Sequence, residues 1–129
     1  MTRQLIIGVD FDGTIVEHEY PYIGEGVPGA IETVKYCIEE GAKIVLWTMR
    51  SGLALEEAVA YLKGAGVELW GVNKNPVQKT WTTSPKAYCN IYVDDAALGC
   101  PLVHGVSARP YVDWDKVRPI LTDLIEEYK

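Results

Sequence analysis

Two aspartates two positions apart, Asp10 and Asp12, are followed directly by Gly13 and Thr14, and a second acidic pair, Asp94-Asp95, stands far along the chain. Between them lie Thr48 and Arg50. Single aspartates and threonines commonly cap helices or close Asx-turns and carry no further meaning. Four carboxylates brought to one place are different. Like charges a few ångströms apart raise one another's pKa and cost stability unless a cation lies among them. All-oxygen ligands indicate a hard ion, and a site that keeps room for water and phosphate oxygens suits Mg²⁺ better than a dedicated Ca²⁺ cage.

Such a gathering requires elements that end together. Residues 5–9 are apolar and β-branched and stop at Asp10, which predicts a strand buried on both faces. Residues 43–47 read the same way and stop at Thr48, 67–72 give a shorter strand, and 90–93 lead into Asp94-Asp95. Between these, Ala30/Ile31, Val34 and Cys37/Ile38 recur at helical spacing after Pro28 and before Gly41. Leu55, Ala58/Val59 and Leu62 mark a second helix stopped by Gly64 and Gly66. Residues 101–103 fit an edge strand, and a closing helix runs through Val117, Leu121, Ile125 and Tyr128 behind an Asp113 cap, with Pro119 expected to kink it or delay its start. Trp47 and Trp70 fall in strand patterns and read as core.

The alternation predicts βαβ units with right-handed crossovers: a three-layer, doubly wound α/β fold with an open parallel sheet covered on both faces. Ligands of such sheets bind outside the carboxyl ends of strands, where strand order reverses, and the acidic motifs fall at those ends. Asp113-Trp114-Asp115 has the same Asp-x-Asp spacing but opens a helix, where capping and the helix dipole account for it.

The segments Val9-Asp10-Phe11-Asp12-Gly13-Thr14-Ile15, Trp47-Thr48-Met49-Arg50 and Tyr92-Val93-Asp94-Asp95 resemble, in type and order, the motifs of the haloacid dehalogenase superfamily of phosphohydrolases. The resemblance implies an Mg²⁺-dependent phosphatase in which Asp10 attacks phosphorus to form an aspartyl phosphate. Asp12 would be the general acid and base, and Thr48 would hold a phosphoryl oxygen. It implies metal ligation by Asp10, by Asp12 through its backbone carbonyl, and by Asp95, with Asp94 in support, and substrate contacts from Gly13, Thr14, Met49 and Arg50. Arg50 reads equally well as a loop brace. A phosphate-site lysine is also implied, with Lys86 favoured over Lys79 and Lys74. His18 falls in the polar loop where relatives carry a flap, yet reads as a solvated loop histidine, and His104 reads as structural. Tyr20, Tyr22 and Trp81 fit the rim of a site.

The 129 residues correspond to one domain, 1–129, with a core that needs no staples. The intervals from Asp12 to Thr48 (36 positions) and from Thr48 to Lys86 (38) must already hold a loop, helices and a strand. A self-supporting insertion needs roughly 40 residues of its own, so no cap domain is expected. An uncovered site implies a large phosphorylated substrate, a lid from a second copy in a homo-oligomer, or slow and promiscuous turnover. The net charge of −6 disfavours nucleic acid and anionic membranes as partners. Cys37, Cys89 and Cys100 lack metal spacing and read as free thiols, and the apolar run 5–9 is too short for a secretion signal or a bilayer span, so a cytoplasmic location is expected. The alternative reading is a catalytically weak phosphate-sensing or protein-binding module on the same fold. A receiver domain is disfavoured, because there the acidic pair comes first.

Overall fold

The structure is a computed structural model that describes residues 3–129. Strands β1 (Ile6–Val9), β2 (Lys43–Leu46), β3 (Gly71–Val72) and β4 (Ile91–Val93) form a parallel sheet in the order β3-β2-β1-β4. Ile7 lies opposite both Ile44 and Ile91, and Val9 opposite both Leu46 and Val93. Asp10 N–H donates to the Val93 carbonyl at 2.9 Å and Trp47 N–H to the Val9 carbonyl at 2.9 Å. This register brings the carboxyl ends of β1, β2 and β4 level. Strand order reverses between β1 and β4, which opens the crevice in which such sheets bind ligands.

Alternation along the strands divides the apolar residues between two faces. Leu5, Ile7, Val9, Ile44, Leu46 and Val93 point to one face and pack with Ala30, Val34 and Cys37 of α1 (Ala30–Glu39), Ala58 and Leu62 of α2 (Gly52–Gly64), and Val117, Leu121 and Ile125 of α3 (Trp114–Tyr128). The β1-to-β2 and β2-to-β3 crossovers run in the same direction along the sheet, so right-handedness places α1 and α2 together.

Among the described residues the other face buries Ile6, Val45, Ala87 and Cys89, flanked by Trp47, Trp70 and Tyr92. The connection from β3 back to β4 covers it with irregular chain and one 3₁₀ turn, Gln78–Thr80. The sheet is therefore parallel and α/β, and covered on both faces as expected, with irregular chain rather than an α-helix forming its third layer. Trp47 and Trp70 pack against that layer and stay half-buried. Gly8 is the point of closest approach: a Cβ there would come within 2.9 Å of the Tyr92 ring and 3.0 Å of the Cys89 sulfur.

Three further expectations change. Of residues 67–72 only Gly71–Val72 is strand, because Val67 turns inward as core before the ladder begins. Residues 102–103 leave the main sheet and pair antiparallel, as β5 (Leu102–Val103), with β6 (Tyr111–Val112), a strand that no sequence pattern marked. Of the two effects expected of Pro119, a delayed start is the one overturned: α3 starts at Trp114 behind the Asp113 cap, whose carboxylate accepts the Asp115 N–H at 3.1 Å, and runs through Pro119 to Tyr128. Proline removes one backbone hydrogen bond there, and the buried stripe Trp114, Val117, Leu121 and Ile125 offsets that loss. Among the described residues no helix is long and apolar enough to cross a membrane.

Candidate metal and phosphate site

The ends of β1 and β4 bring one ligand oxygen each from Asp10, Asp94 and Asp95 within 4.8 Å of one another. Burial pushes the Asp10 carboxyl up to about 8, with further upward pressure from its hydrogen bond to Asp95 and from the charge of Asp94. Asp94 is likewise raised, first by burial and then, against the Ala96 N–H that stabilises its charge, by Asp95. Three carboxyls this close to one another relieve their repulsion by holding protons or by sharing a cation, and this all-oxygen donor set fits a hard divalent ion.

Thr14 braces the group. It is fully buried; its hydroxyl donates to Asp10 Oδ2 at 3.1 Å while accepting the Asp95 N–H at 3.3 Å. The hydroxyl proton and one of its lone pairs are used inside the protein, so Thr14 positions Asp10 against Asp95. Its carbonyl accepts the indole N–H of Trp114 at 2.8 Å, which fastens the motif loop to the first turn of α3. Gly13 is also committed: its N–H donates to the Val16 carbonyl, its φ is +81°, and a Cβ would come within 2.1 Å of His18 Nε2 and 2.5 Å of Asp95 Oδ2.

That space belongs to His18. Its Nε2 lies 2.8 Å from Asp95 Oδ2 and its side chain is only 15% exposed, so the solvated reading of His18 is corrected. Thr48 stands at the end of β2, where its backbone N–H donates to Asn73 Oδ1 at 2.8 Å. Its Oγ1 accepts the Arg50 N–H at 3.1 Å, which leaves the hydroxyl proton available to a ligand.

Asp12 faces elsewhere. Arg50, 2% exposed, donates from Nε to Asp12 Oδ2 at 2.8 Å and from Nη2 to Oδ1 at 2.7 Å. The other donations from Arg50 go to the carbonyls of Pro21, Tyr22 and Ala54, and its guanidinium lies 4.9 Å from the Phe11 ring centroid. Of the two readings of Arg50, the loop brace is the one this arrangement satisfies. The Asp12 carboxylate consequently lies outside the Asp10, Asp94 and Asp95 group.

Met49 is fully exposed beside Thr48. Lys86 is exposed, with Nζ 5.5 Å from the Tyr92 ring centroid on the thinly covered face. Lys74 and Lys79 line an open cavity of about 590 Å³ with Asn73, Gln78 and Thr82. Among the described residues no lysine bonds to any of the four motif aspartates. Tyr20, Tyr22 and Trp81 are exposed, and His104 lies on the surface, where the structural reading gave it a packing role. Sequence reasoning passed over Asn73 and the site role of Trp114. Asn73 sits in no motif and Trp114 lies in a segment read as a helix cap, so only the folded register shows what they touch.

A conserved protein of Bacteroides thetaiotaomicron with a solved structure is similar to this chain: 34% identity over 95% of this chain and 93% of that one, with a TM-score of 0.78. The chain belongs to the family of that conserved protein. No protein-family model matches the sequence, and no curated protein does.

Proposed function

We propose that the chain is a capless, Mg²⁺-dependent phosphomonoester hydrolase of the haloacid dehalogenase type. The observation that carries this reading is the convergence of Asp10, Asp94 and Asp95 at the β1/β4 crevice, with the free hydroxyl proton of Thr48 on the same sheet edge. Asp10, Asp94 and Asp95 are the residues that would hold the ion. When bound, it would offset the charge of an anionic substrate drawn toward anionic side chains.

An Asp10 carboxylate oxygen forms the bond to phosphorus as the bond to the leaving oxygen breaks, and that oxygen takes up a proton. Water then attacks phosphorus, the Asp10–phosphorus bond breaks, phosphate leaves and the carboxylate is restored. Thr48 donates to a phosphoryl oxygen throughout. Asp12, which accepts one Arg50 N–H on each oxygen, would supply and recover that proton through a remaining lone pair. Lys86, on its flexible stem over Tyr92, is the lysine offered for the phosphate. The net charge of −6 supports a phosphorylated small molecule or protein over nucleic acid, and a cytoplasmic setting suits the free thiols.

The test is phosphate release from p-nitrophenyl phosphate with Mg²⁺. Activity should vanish with a chelator and fall at least about 10³-fold in Asp10→Asn, the scale of losing an essential nucleophile; activity surviving in clean Asp10→Asn protein sinks the assignment. One observation favours a second reading, a phosphate-sensing module with little turnover: Arg50 holds both Asp12 oxygens. In that case Mg²⁺ with phosphate raises the melting temperature while no phosphorylated compound in a broad panel is turned over.

A further inference from the structure

We propose that His18 is a positioning residue of the cation site, holding Asp95 in its ligating orientation and thereby coupling cation binding to the order of the loop 17–27. The inference rests on the reading of Asp10, Asp94 and Asp95 as a cation site.

Toward an Asp95 that ligates an ion, and is therefore ionised, the imidazole is the donor, because a carboxylate can only accept. One N–H occupies one lone pair of Oδ2 at 2.8 Å and leaves the others of that carboxylate for an ion. Hydrogen bonds of this kind fix the rotation of carboxylate ligands, and their loss typically weakens metal binding by about 10–100-fold. Space for the contact is built into the chain, since any side chain at residue 13 would displace both partners.

His18 also belongs to the loop 17–27, which meets the site through this contact. Glu17 N–H donates to the Glu25 carbonyl at 2.8 Å and Val27 N–H to the Ile15 carbonyl at 2.9 Å, so residues 17 and 25 close the base of a hairpin-like excursion. The far end is fastened by Arg50, through the Pro21 and Tyr22 carbonyls, to Asp12. The loop thus has two tethers, and each ends on a motif aspartate: His18 on Asp95 and Arg50 on Asp12. An ion that fixes Asp95 fixes the partner of His18, and the base of the loop follows.

The experiment combines Mg²⁺ titration by calorimetry with amide hydrogen exchange at residues 19–25, on the full chain and on His18→Ala and His18→Gln. Mg²⁺ should slow exchange at 19–25 in the wild type. His18→Ala should bind Mg²⁺ about 10–100-fold more weakly and show the same fast exchange at 19–25 with or without saturating Mg²⁺. His18→Gln, which keeps an N–H donor at similar reach, should recover most of both. A histidine that merely stabilised the fold would change the melting temperature and leave the affinity alone. Wild-type affinity in His18→Ala, loop exchange indifferent to Mg²⁺ in the wild type, or folded His18→Gln no better than His18→Ala overturns the coupling while leaving the cation site standing. Wild-type protein that takes up no Mg²⁺ overturns the site reading and this inference together. Should His18→Ala fail to fold, the wild type and His18→Gln still decide.

Discussion

The Asp10 carboxyl, pushed up to about 8 by burial and by its acidic neighbours, gives the cation-free chain a pH dependence of definite sign. A carboxyl whose folded pKa is raised contributes stability that is fully present below the ordinary value of 3.8 and is lost as pH climbs through about 8. In a chelator, the urea midpoint should therefore fall between pH 5 and pH 9, and Asp10→Asn should flatten much of that fall. Mg²⁺ should act in the opposite sense, stabilising more at pH 9 than at pH 5, because ligation needs the ionised form. A midpoint that rises with pH in the chelator would contradict the clustering. The neighbouring ion pair predicts a different outcome. Arg50 is buried and bidentate to Asp12, and removing one partner of such a pair leaves an uncompensated charge. Arg50→Ala should cost about 3–5 kcal/mol in denaturant unfolding, far more than the roughly 0–1 kcal/mol of a surface pair.

Among the elements, α3 does more than cover the sheet. Its first residue, Trp114, is 2% exposed and donates to the Thr14 carbonyl, so the helix start helps to hold the loop that carries Asp10 and Asp12. Trp114→Phe keeps most of the apolar volume and removes that N–H, and should cost about 1–3 kcal/mol by leaving a buried carbonyl unpaired. The loss should appear in unfolding free energy and, through Thr14, as weaker Mg²⁺ binding in calorimetry; unaltered binding would confine Trp114 to packing. The three helices and the strand ends were legible in the sequence because each rests on a local period and a local stop: Ala30 to Cys37 before Gly41, Leu55 to Leu62 before Gly64, the apolar run into Asp10. What stayed hidden depends on distance along the chain. His18 meets Asp95 across 77 positions and Arg50 meets Asp12 across 38, and nothing at residue 18 distinguishes a solvated histidine from a tethered one. β6 is two residues long and exists only because β5 lies beside it.

Over the molecule as a whole, the two faces of the sheet are covered by different kinds of chain, helices on one and irregular loop on the other. The stretch from Asn73 to Asn90 is rich in Asn, Thr, Pro and Ser and has no helical period, yet right-handed winding requires that same stretch to cover the second face. It does so through buried amides: Asn75 bonds the Tyr88 carbonyl and the Val77 N–H, and Gln78 bonds the Ser84 and Lys86 carbonyls and the Tyr88 N–H. Hydrogen-bonded loop over four buried apolar residues opens at lower free energy than helix over a deep core. The three thiols lie at different depths in this lopsided build and report on it. Cys100 is half-buried, Cys89 sits under the loop layer, and Cys37 lies inside α1 against the main core. Under pulses of iodoacetamide followed by mass spectrometry, alkylation should proceed in the order Cys100, Cys89, Cys37, with Cys89 modified while the helical side is still intact. Simultaneous labelling of Cys89 and Cys37 would mean that both sides of the sheet come apart as one.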